Sequence, residues 1–215
     1  KEFNRERNLD PKLVESLAKA KSKGYESWQE AKKKSDFKIF LPLFKELLKL
    51  RIEEAKQISD QYSPWETLAQ PFEPELTLKW LKKMFQPLKE TIPALIKGIN
   101  KSKKNHWDLS PESQQNLCSK LLDEFGRDKD LVVVGKSPHP FSITLGPNDY
   151  RITTRIVEGE PLSSFLATAH EWGHSIYEQG LPSQSHQWFA WPLGQATSMG
   201  IHESQSLFWE NRIVK

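Results

Sequence analysis

Apolar residues in the first 130 positions recur at the three- and four-residue spacing of amphipathic helices. This pattern predicts a helix that begins at Asp10-Pro11 and ends at Gly24, followed by a short helix over residues 26–34. Ser35 is expected to cap a long helix over residues 36–59. Its buried side is predicted to consist of Phe40, Phe44, Leu47 and Leu48. The remaining segments are a Pro-rich loop over 61–76, a helix over 77–100 and a helix over 111–126.

The pattern changes after residue 130. Residues 131–134 and 139–157 are rich in β-branched side chains, and a Gly-Pro-Asn-Asp turn between two arms of the second segment predicts a hairpin. Helical spacing returns over residues 161–179 and from about residue 193 to the C-terminus. We therefore predict a mainly α protein with a small antiparallel β hairpin or sheet. Its single domain would comprise a helical part (1–130), a β part (131–160) and two closing helices (161–215).

Composition narrows the class of protein. A hydrophobic fraction of 37% with eight Trp residues indicates a folded chain. The net charge of +3 is spread over mixed Lys and Glu segments, which argues against a nucleic-acid-binding face. No apolar run reaches the roughly 20 residues of a membrane span. The one cysteine, Cys118, is expected to be a buried apolar side chain, and a cytoplasmic location is expected.

The segment His170-Glu171-Trp172-Gly173-His174 is an HExxH pentad inside a helical pattern. Positions i and i+4 lie on one face of a helix, so both imidazoles can reach one metal ion. Glu171 projects beside that face, where it can activate water. The alternative is a pair of surface histidines without a metal.

A catalytic zinc site needs a third protein ligand and an open position. Glu178 is too far along the helix, because eight residues from His170 span about 12 Å. The candidates are His186, His202 and Glu203. We favour Glu203, since a carboxylate leaves the site less positive and the small residues of its segment would allow close helix approach. Those small residues are Gly194, Ala196, Ser198 and Gly200.

Four ordered blocks resemble the carboxypeptidase Taq family of thermostable zinc metallocarboxypeptidases. The blocks are HExGHxxYEQG from His170, GIHESQSxxWEN from Gly200, HPF from His139, and DxRxTT from Asp149. The resemblance implies a long-helix metallopeptidase fold with a small β sheet beside the zinc-binding helices. It also implies that His170, His174 and Glu203 bind the metal, with Glu171 as the general base.

The same resemblance implies removal of single C-terminal amino acids from peptides, zinc as the metal (cobalt also fits), and a homodimer in the intact enzyme. His139 would line the cleft or hold the hairpin. Asp149, Arg151 and Thr153 share one strand face, where an Asp149–Arg151 ion pair could shape the substrate groove or serve as scaffold. His202 would support a ligand or fill space between helices.

The chain departs from the family pattern in length. Members are more than twice as long, and two later blocks, IRxxAD and GxxQDxHW, do not occur here, so the resemblance implies truncation at both ends. This leaves a second reading in which the chain is a non-catalytic metal- or protein-binding fragment that lacks the downstream substrate-binding half. A third reading is a structural helical domain without metal.

Overall fold

The computed structural model of the chain describes residues 5, 7–99 and 107–214. The chain divides into two compact units, residues 1–99 and residues 100–215, and each is described by itself. The single domain expected from the sequence remains a prediction. The ends of the chain and the last residue of the helix predicted over 77–100 lie outside the described residues.

The first unit is helical. Its elements are α1 (Pro11–Lys34), a 3-10 turn (Phe37–Ile39), α2 (Leu41–Ile58), α3 (Pro64–Ala69) and α4 (Leu78–Gly98). Asp10 begins α1, where its side chain accepts a hydrogen bond from the Lys12 N–H. Thr77 caps α4 in the same way through the Trp80 N–H, as the sequence predicts.

The predicted break at Gly24 is wrong, because α1 continues through it to Lys34. Gly24 is buried, and a Cβ there would lie 2.9 Å from Leu47 Cδ1, so the glycine permits α1 and α2 to pack closely. Ser35 ends α1 instead of beginning the next helix. It adopts the left-handed conformation (φ 52°), and its N–H bonds back to the carbonyls of Ala31 and Lys32.

Two further expectations for this unit fail. Phe44 and Leu48 are exposed on α2, whose buried residues are Glu54 and Ala55. The segment predicted as a Pro-rich loop contains α3, which starts with a capping box between Ser63 and Glu66. Pro64 occupies the first helical position, where proline is favoured, so it supports the helix together with the cap.

The second unit carries the β structure and the pentad. Its elements are α5 (Pro111–Glu124), β1 (Val132–Lys136), β2 (Ser142–Gly146), β3 (Asp149–Thr154), α6 (Pro161–Gln179), a 3-10 turn (Pro192–Gly194), α7 (Met199–Phe208) and a π-helix (Trp209–Val214). The last helix was predicted to start at about residue 193, but it starts at Met199, where Ser198 is the N-cap. Within the described residues, no helix combines the length and apolar character that a bilayer crossing requires.

The sheet confirms the predicted hairpin and adds a strand to it. β2 pairs antiparallel with β3, and β1 pairs parallel with the other edge of β3, which gives the order β1-β3-β2. Leu122, Val132, Ile152 and Trp172 form a core cluster of this unit, which joins α5, two strands and α6. Cys118 is 2% exposed, as expected for an apolar role.

Buried polar residues fasten α6 to the end of β3. The Thr168 hydroxyl donates to the Ser164 carbonyl at 2.8 Å and lies 3.0 Å from the Thr154 hydroxyl, which also donates to the Ser164 carbonyl. Ser164 in turn donates to the Gln114 side chain of α5 at 2.8 Å. Each of these groups is hydrogen-bonded, so the network fixes the register of strand and helix at modest cost.

Candidate metal centre

The pentad lies within α6, and its two histidines face the same side. The rings of His170 and His174 have centroids 4.9 Å apart in an edge-to-face arrangement. Glu203 comes from the middle of α7, which packs against α6 in the second unit. The helices meet at Gly173 and Ser206, where a Cβ on Gly173 would lie 2.5 Å from Ser206 Cα. This close approach brings Glu203 to the two histidines.

The three donors have the spacing that one ion requires. Glu203 Oε2 lies 3.2 Å from His174 Nε2 and 3.7 Å from His170 Nε2, and one donor atom from each residue lies within 4.8 Å of the others. Ligands bonded to zinc at about 2.1 Å with tetrahedral angles are roughly 3.4 Å apart. Two imidazoles and one carboxylate therefore fit a divalent metal and leave room for a fourth ligand.

The second nitrogen of each histidine has its own partner. His170 Nδ1 lies 3.1 Å from Glu210 Oε2, in the π-helix that follows α7. His174 Nδ1 lies 2.5 Å from His202 Nδ1, and His202 Nε2 lies 2.8 Å from Glu178 Oε1. Such partners orient imidazoles so that the remaining nitrogen faces the metal. His202 thus touches a candidate ligand, and its role in supporting that ligand stays a prediction.

The charges of the site are perturbed by burial. Burial and, less strongly, the nearby Glu203 carboxylate raise the pKa of Glu171 to about 7. Burial, followed by the neighbouring His202 and His170, holds the pKa of His174 below its ordinary value. A neutral imidazole is the form that binds a metal, so this shift favours a ligand role at neutral pH.

The raised pKa of Glu171 gives a pH-dependent stability in the metal-free protein. Between the ordinary value of 4.5 and about 7 the folded chain retains a proton that the unfolded chain releases. Protonated Glu171 therefore contributes to the free energy of unfolding, and this contribution is complete below about pH 4.5. As the pH rises through 7 the contribution is lost, and the free energy of unfolding falls by about 2–3 kcal/mol. In urea unfolding with a chelator present, the free energy of unfolding of Glu171→Gln relative to the wild type should therefore rise by this amount between pH 5 and pH 8.

Glu158→Gln is the matched control, since Glu158 is exposed in the same unit. Its difference from the wild type should not vary with pH. A wild-type-minus-Glu171→Gln difference that stays flat over this range would show that Glu171 is ionised normally.

A cleft of about 450 Å³ opens beside the candidate ligands. One side is formed by a face of α6, and the lining residues are His139, Pro140, Arg155, Ser163, Leu166, Ala167, His170, Glu171 and Glu210. His139 therefore lies at the cleft, one of the two positions considered for it. Glu171 is 7% exposed and borders the same space as His170, so a water held there can reach its carboxylate.

The other candidates on β3 have different surroundings. Arg151 and Asp149 form the expected ion pair, with Nε to Oδ1 at 2.8 Å, but neither lines this cleft. The Thr153 hydroxyl lies 2.7 Å from the Ser137 hydroxyl and accepts a hydrogen bond from the Phe141 N–H at 3.0 Å. These contacts tie the HPF segment to β3, which favours the scaffold reading for Thr153.

Sequence reasoning missed part of the site. Glu210 and the close-packed Gly173 were not singled out, although both stand inside the motif blocks. Two of the small residues expected to bring the helices together, Gly194 and Gly200, are not at the α6–α7 contact. Gly194 instead packs under the Trp188 carbonyl, and Gly200 is exposed. His186 is exposed and outside the donor cluster, and Glu178 contacts His202.

Comparison with known proteins agrees with this geometry. The carboxypeptidase Taq (M32) metallopeptidase family model matches residues 1–215. Thermostable carboxypeptidase 1 of Thermus thermophilus is 34% identical over 98% of this chain and 44% of its own length. Carboxypeptidase 1 of Bacillus subtilis is 38% identical over 89% of this chain and 39% of its own length.

Solved structures give the same result. Metallocarboxypeptidase 1 of Trypanosoma cruzi matches 96% of this chain and 42% of its own, with a TM-score of 0.75 and 32% identity. The M32 carboxypeptidase of Deinococcus radiodurans matches 99% of this chain and 43% of its own, with a TM-score of 0.79 and 27% identity. The chain spans less than half the length of these relatives. On its sequence, its fold and its donor cluster, the chain belongs to the carboxypeptidase Taq (M32) family of metallopeptidases.

Proposed function

We propose that this chain carries the metal centre of a zinc-dependent metallocarboxypeptidase that removes single C-terminal amino acids from peptides. The observation that supports it most is the convergence of His170, His174 and Glu203 beside the buried carboxylate of Glu171. Relatives named as carboxypeptidases support the substrate class. Zinc is the proposed metal and cobalt the alternative, since both accept two imidazoles and a carboxylate.

The roles of the protein groups follow from their chemistry. The imidazoles of His170 and His174 and the carboxylate of Glu203 hold the ion. When bound, zinc supplies Lewis acidity that activates water and polarises the peptide carbonyl. Glu171 accepts the proton of the attacking water and then donates it to the leaving amine. Its raised pKa, near 7, suits a group that must both take and release a proton.

The proposal also covers the substrate, the oligomeric state and the cellular location. Peptides are the substrates, the intact enzyme is a homodimer and its compartment is the cytoplasm. The second candidate is a non-catalytic metal- or protein-binding chain.

Metal content tests the proposed site first. After zinc loading and removal of free metal, the wild-type chain should retain about one zinc ion per molecule, measured by mass spectrometry of the metal. His174→Ala removes one of three ligands, so zinc affinity should fall by more than about 100-fold.

His186→Ala is the control, because His186 is an exposed loop histidine outside the cluster. It should bind zinc as the wild type does. A wild-type chain that binds no zinc, or a His174→Ala chain that retains it fully, would contradict the assignment. Zinc binding without any release of amino acids from peptides would favour the non-catalytic candidate.

A further inference from the structure

The first unit contains a cavity of about 470 Å³ that shares no residue with the candidate metal centre. It is enclosed by the end of α2, by α3 and by the loop that joins α3 to α4, with Arg5 at its border. Small-molecule sites commonly have volumes of about 300–1,000 Å³. Tyr62, Pro71 and Pro74 line the cavity and are exposed, so a ligand can enter from solvent. The cavity therefore has the size and the opening of a ligand site.

Hydrogen bonds hold the loop that forms one wall of the cavity. The Gln70 side chain donates to the Leu76 carbonyl at 3.0 Å and accepts from the Glu75 N–H at 2.9 Å. Glu66 of α3 accepts a hydrogen bond from the Leu78 N–H at 2.8 Å. The loop is therefore tied to α3, so the cavity keeps its shape without a ligand.

Two buried donors at this cavity lack acceptors. Thr67 is 3% exposed, and neither its hydroxyl nor the Nε of Arg5 has a hydrogen-bond partner within residues 5, 7–99 and 107–214. Four buried side-chain atoms in that part of the chain are unpartnered, and two of them belong to residues that line this one cavity. Buried polar groups in proteins are nearly always hydrogen-bonded. Two such donors at one cavity therefore indicate a ligand that supplies acceptor oxygens.

The charges around Arg5 favour an anionic acceptor. Arg51 binds the buried carboxylate of Glu54 at 2.5 Å, whereas Arg5 Nη2 lies 3.9 Å from that carboxylate, too far for a hydrogen bond. Glu54 therefore satisfies Arg51 and leaves Arg5 Nε to another acceptor. Hydrogen bonds from a guanidinium to a carboxylate are stronger than those to a neutral oxygen. The acceptor expected at Arg5 and Thr67 is thus a carboxylate.

The same lining also contains a carboxylate and apolar side chains. Glu75 is exposed and has no ion-pair partner in the described part of the first unit. It would repel a simple anion and attract a ligand that also carries a cation. Tyr62, Pro71 and Pro74 offer apolar surface to the rest of the ligand. The lining therefore complements one anion, one cation and an apolar body.

We propose that this cavity binds a free α-amino acid with an apolar side chain. The carboxylate of the ligand accepts hydrogen bonds from Arg5 Nε and the Thr67 hydroxyl, and its ammonium group pairs with Glu75. Its side chain lies against Tyr62 and the two prolines of the loop. The assignment does not rest on the proposed peptidase, because no residue of the cavity belongs to the metal centre.

The experiment compares L-leucine with two analogues that each lack one of its charges. 4-Methylpentanoate has no ammonium group, and 3-methylbutylamine has no carboxylate. Binding to the chain is measured by calorimetry with a chelator present, so that no metal in the second unit takes part. Leucine should bind at least about 10-fold more tightly than either analogue, because only leucine pairs with both charges of the lining.

Each lining residue should affect one part of the ligand. Thr67→Val removes the unpartnered hydroxyl with little change of shape and should weaken leucine binding at least about 10-fold. Glu75→Gln should bind leucine no more tightly than 4-methylpentanoate, because the partner of the ammonium group is lost. Arg5→Met should bind leucine no more tightly than 3-methylbutylamine, because the partner of the carboxylate is lost.

Thr91→Val and Glu53→Gln are the matched controls. They make the same chemical changes at exposed residues of the first unit outside the cavity, and they should bind leucine as the wild type does. Circular dichroism shows which variants are folded. Thr67→Val removes a buried group that has no partner, so it is expected to fold and decides the matter if Arg5→Met does not.

Equal affinity for leucine and 4-methylpentanoate would overturn the amino-acid assignment. Leucine binding that Thr67→Val and Glu75→Gln leave unchanged would overturn the placement in this cavity. Absence of leucine binding to the folded wild-type chain would overturn the proposal as a whole. None of these results depends on zinc content or peptide hydrolysis, so they are separate from the tests of the metal centre.

Discussion

Replacing Glu171 with glutamine is expected to lower the rate of amino-acid release from a blocked dipeptide by at least about 100-fold. Glutamine has nearly the same shape, but it cannot accept the proton of the attacking water. The candidate ligands His170, His174 and Glu203 are untouched, so zinc content should stay at the wild-type level. The measurement is the initial rate of leucine release by the zinc-loaded protein, with zinc determined in the same sample.

Glu158→Gln makes the same chemical change at an exposed glutamate outside the cleft and should leave the rate unchanged. Full activity in Glu171→Gln would exclude Glu171 as the base. A rate loss accompanied by zinc loss would show that Glu171 acts through the metal site and not through proton transfer.

Gly173→Ala is expected to destabilise the second unit by at least about 2 kcal/mol and to weaken zinc binding at the same time. The added methyl carbon would lie 2.5 Å from Ser206 Cα, 2.7 Å from the Gln205 carbonyl oxygen and 2.9 Å from Ser206 N. All three are backbone atoms, so no side-chain rotation relieves the overlap and α7 must move. Glu203 moves with α7. Urea unfolding and zinc titration measure the two effects.

Gly98→Ala is the matched control, because a Cβ at this helical glycine meets no atom within 4 Å. It should be neutral or stabilise by up to about 1 kcal/mol, as alanine generally does in helices. If Gly173→Ala is as well tolerated as Gly98→Ala, the two helices do not rely on this close approach.

The sequence predicted those parts of the site that local geometry determines. His170 and His174 share a face because they are four residues apart on one helix, and that needs no knowledge of the rest of the chain. The β2–β3 hairpin was predicted for the same reason, since its turn residues are consecutive. Glu203 was favoured on chemical grounds and through family resemblance, not by periodicity.

Long-range packing decided what the sequence could not predict. Val132 of β1 pairs with Tyr150 of β3 in parallel, and this pairing is determined by packing in the core because no turn connects the two strands directly. Gly173 was not singled out within the pentad, because its importance depends on where α7 crosses α6. Glu210 reaches His170 from the π-helix, whose wider turn is not visible in a 3.6-residue pattern.

The row formed by Glu178, His202 and His174 also determines where protons reside. If Glu178 is ionised, it only accepts, so His202 Nε2 must carry the hydrogen that it donates over 2.8 Å. Nδ1 of a neutral His202 then carries no hydrogen, so His174 Nδ1 must be the donor in the contact between the two histidines. The lone pair of His174 is left on Nε2, the atom 3.2 Å from Glu203. One carboxylate outside the donor cluster thus selects the tautomers of two imidazoles and the nitrogen that a metal meets.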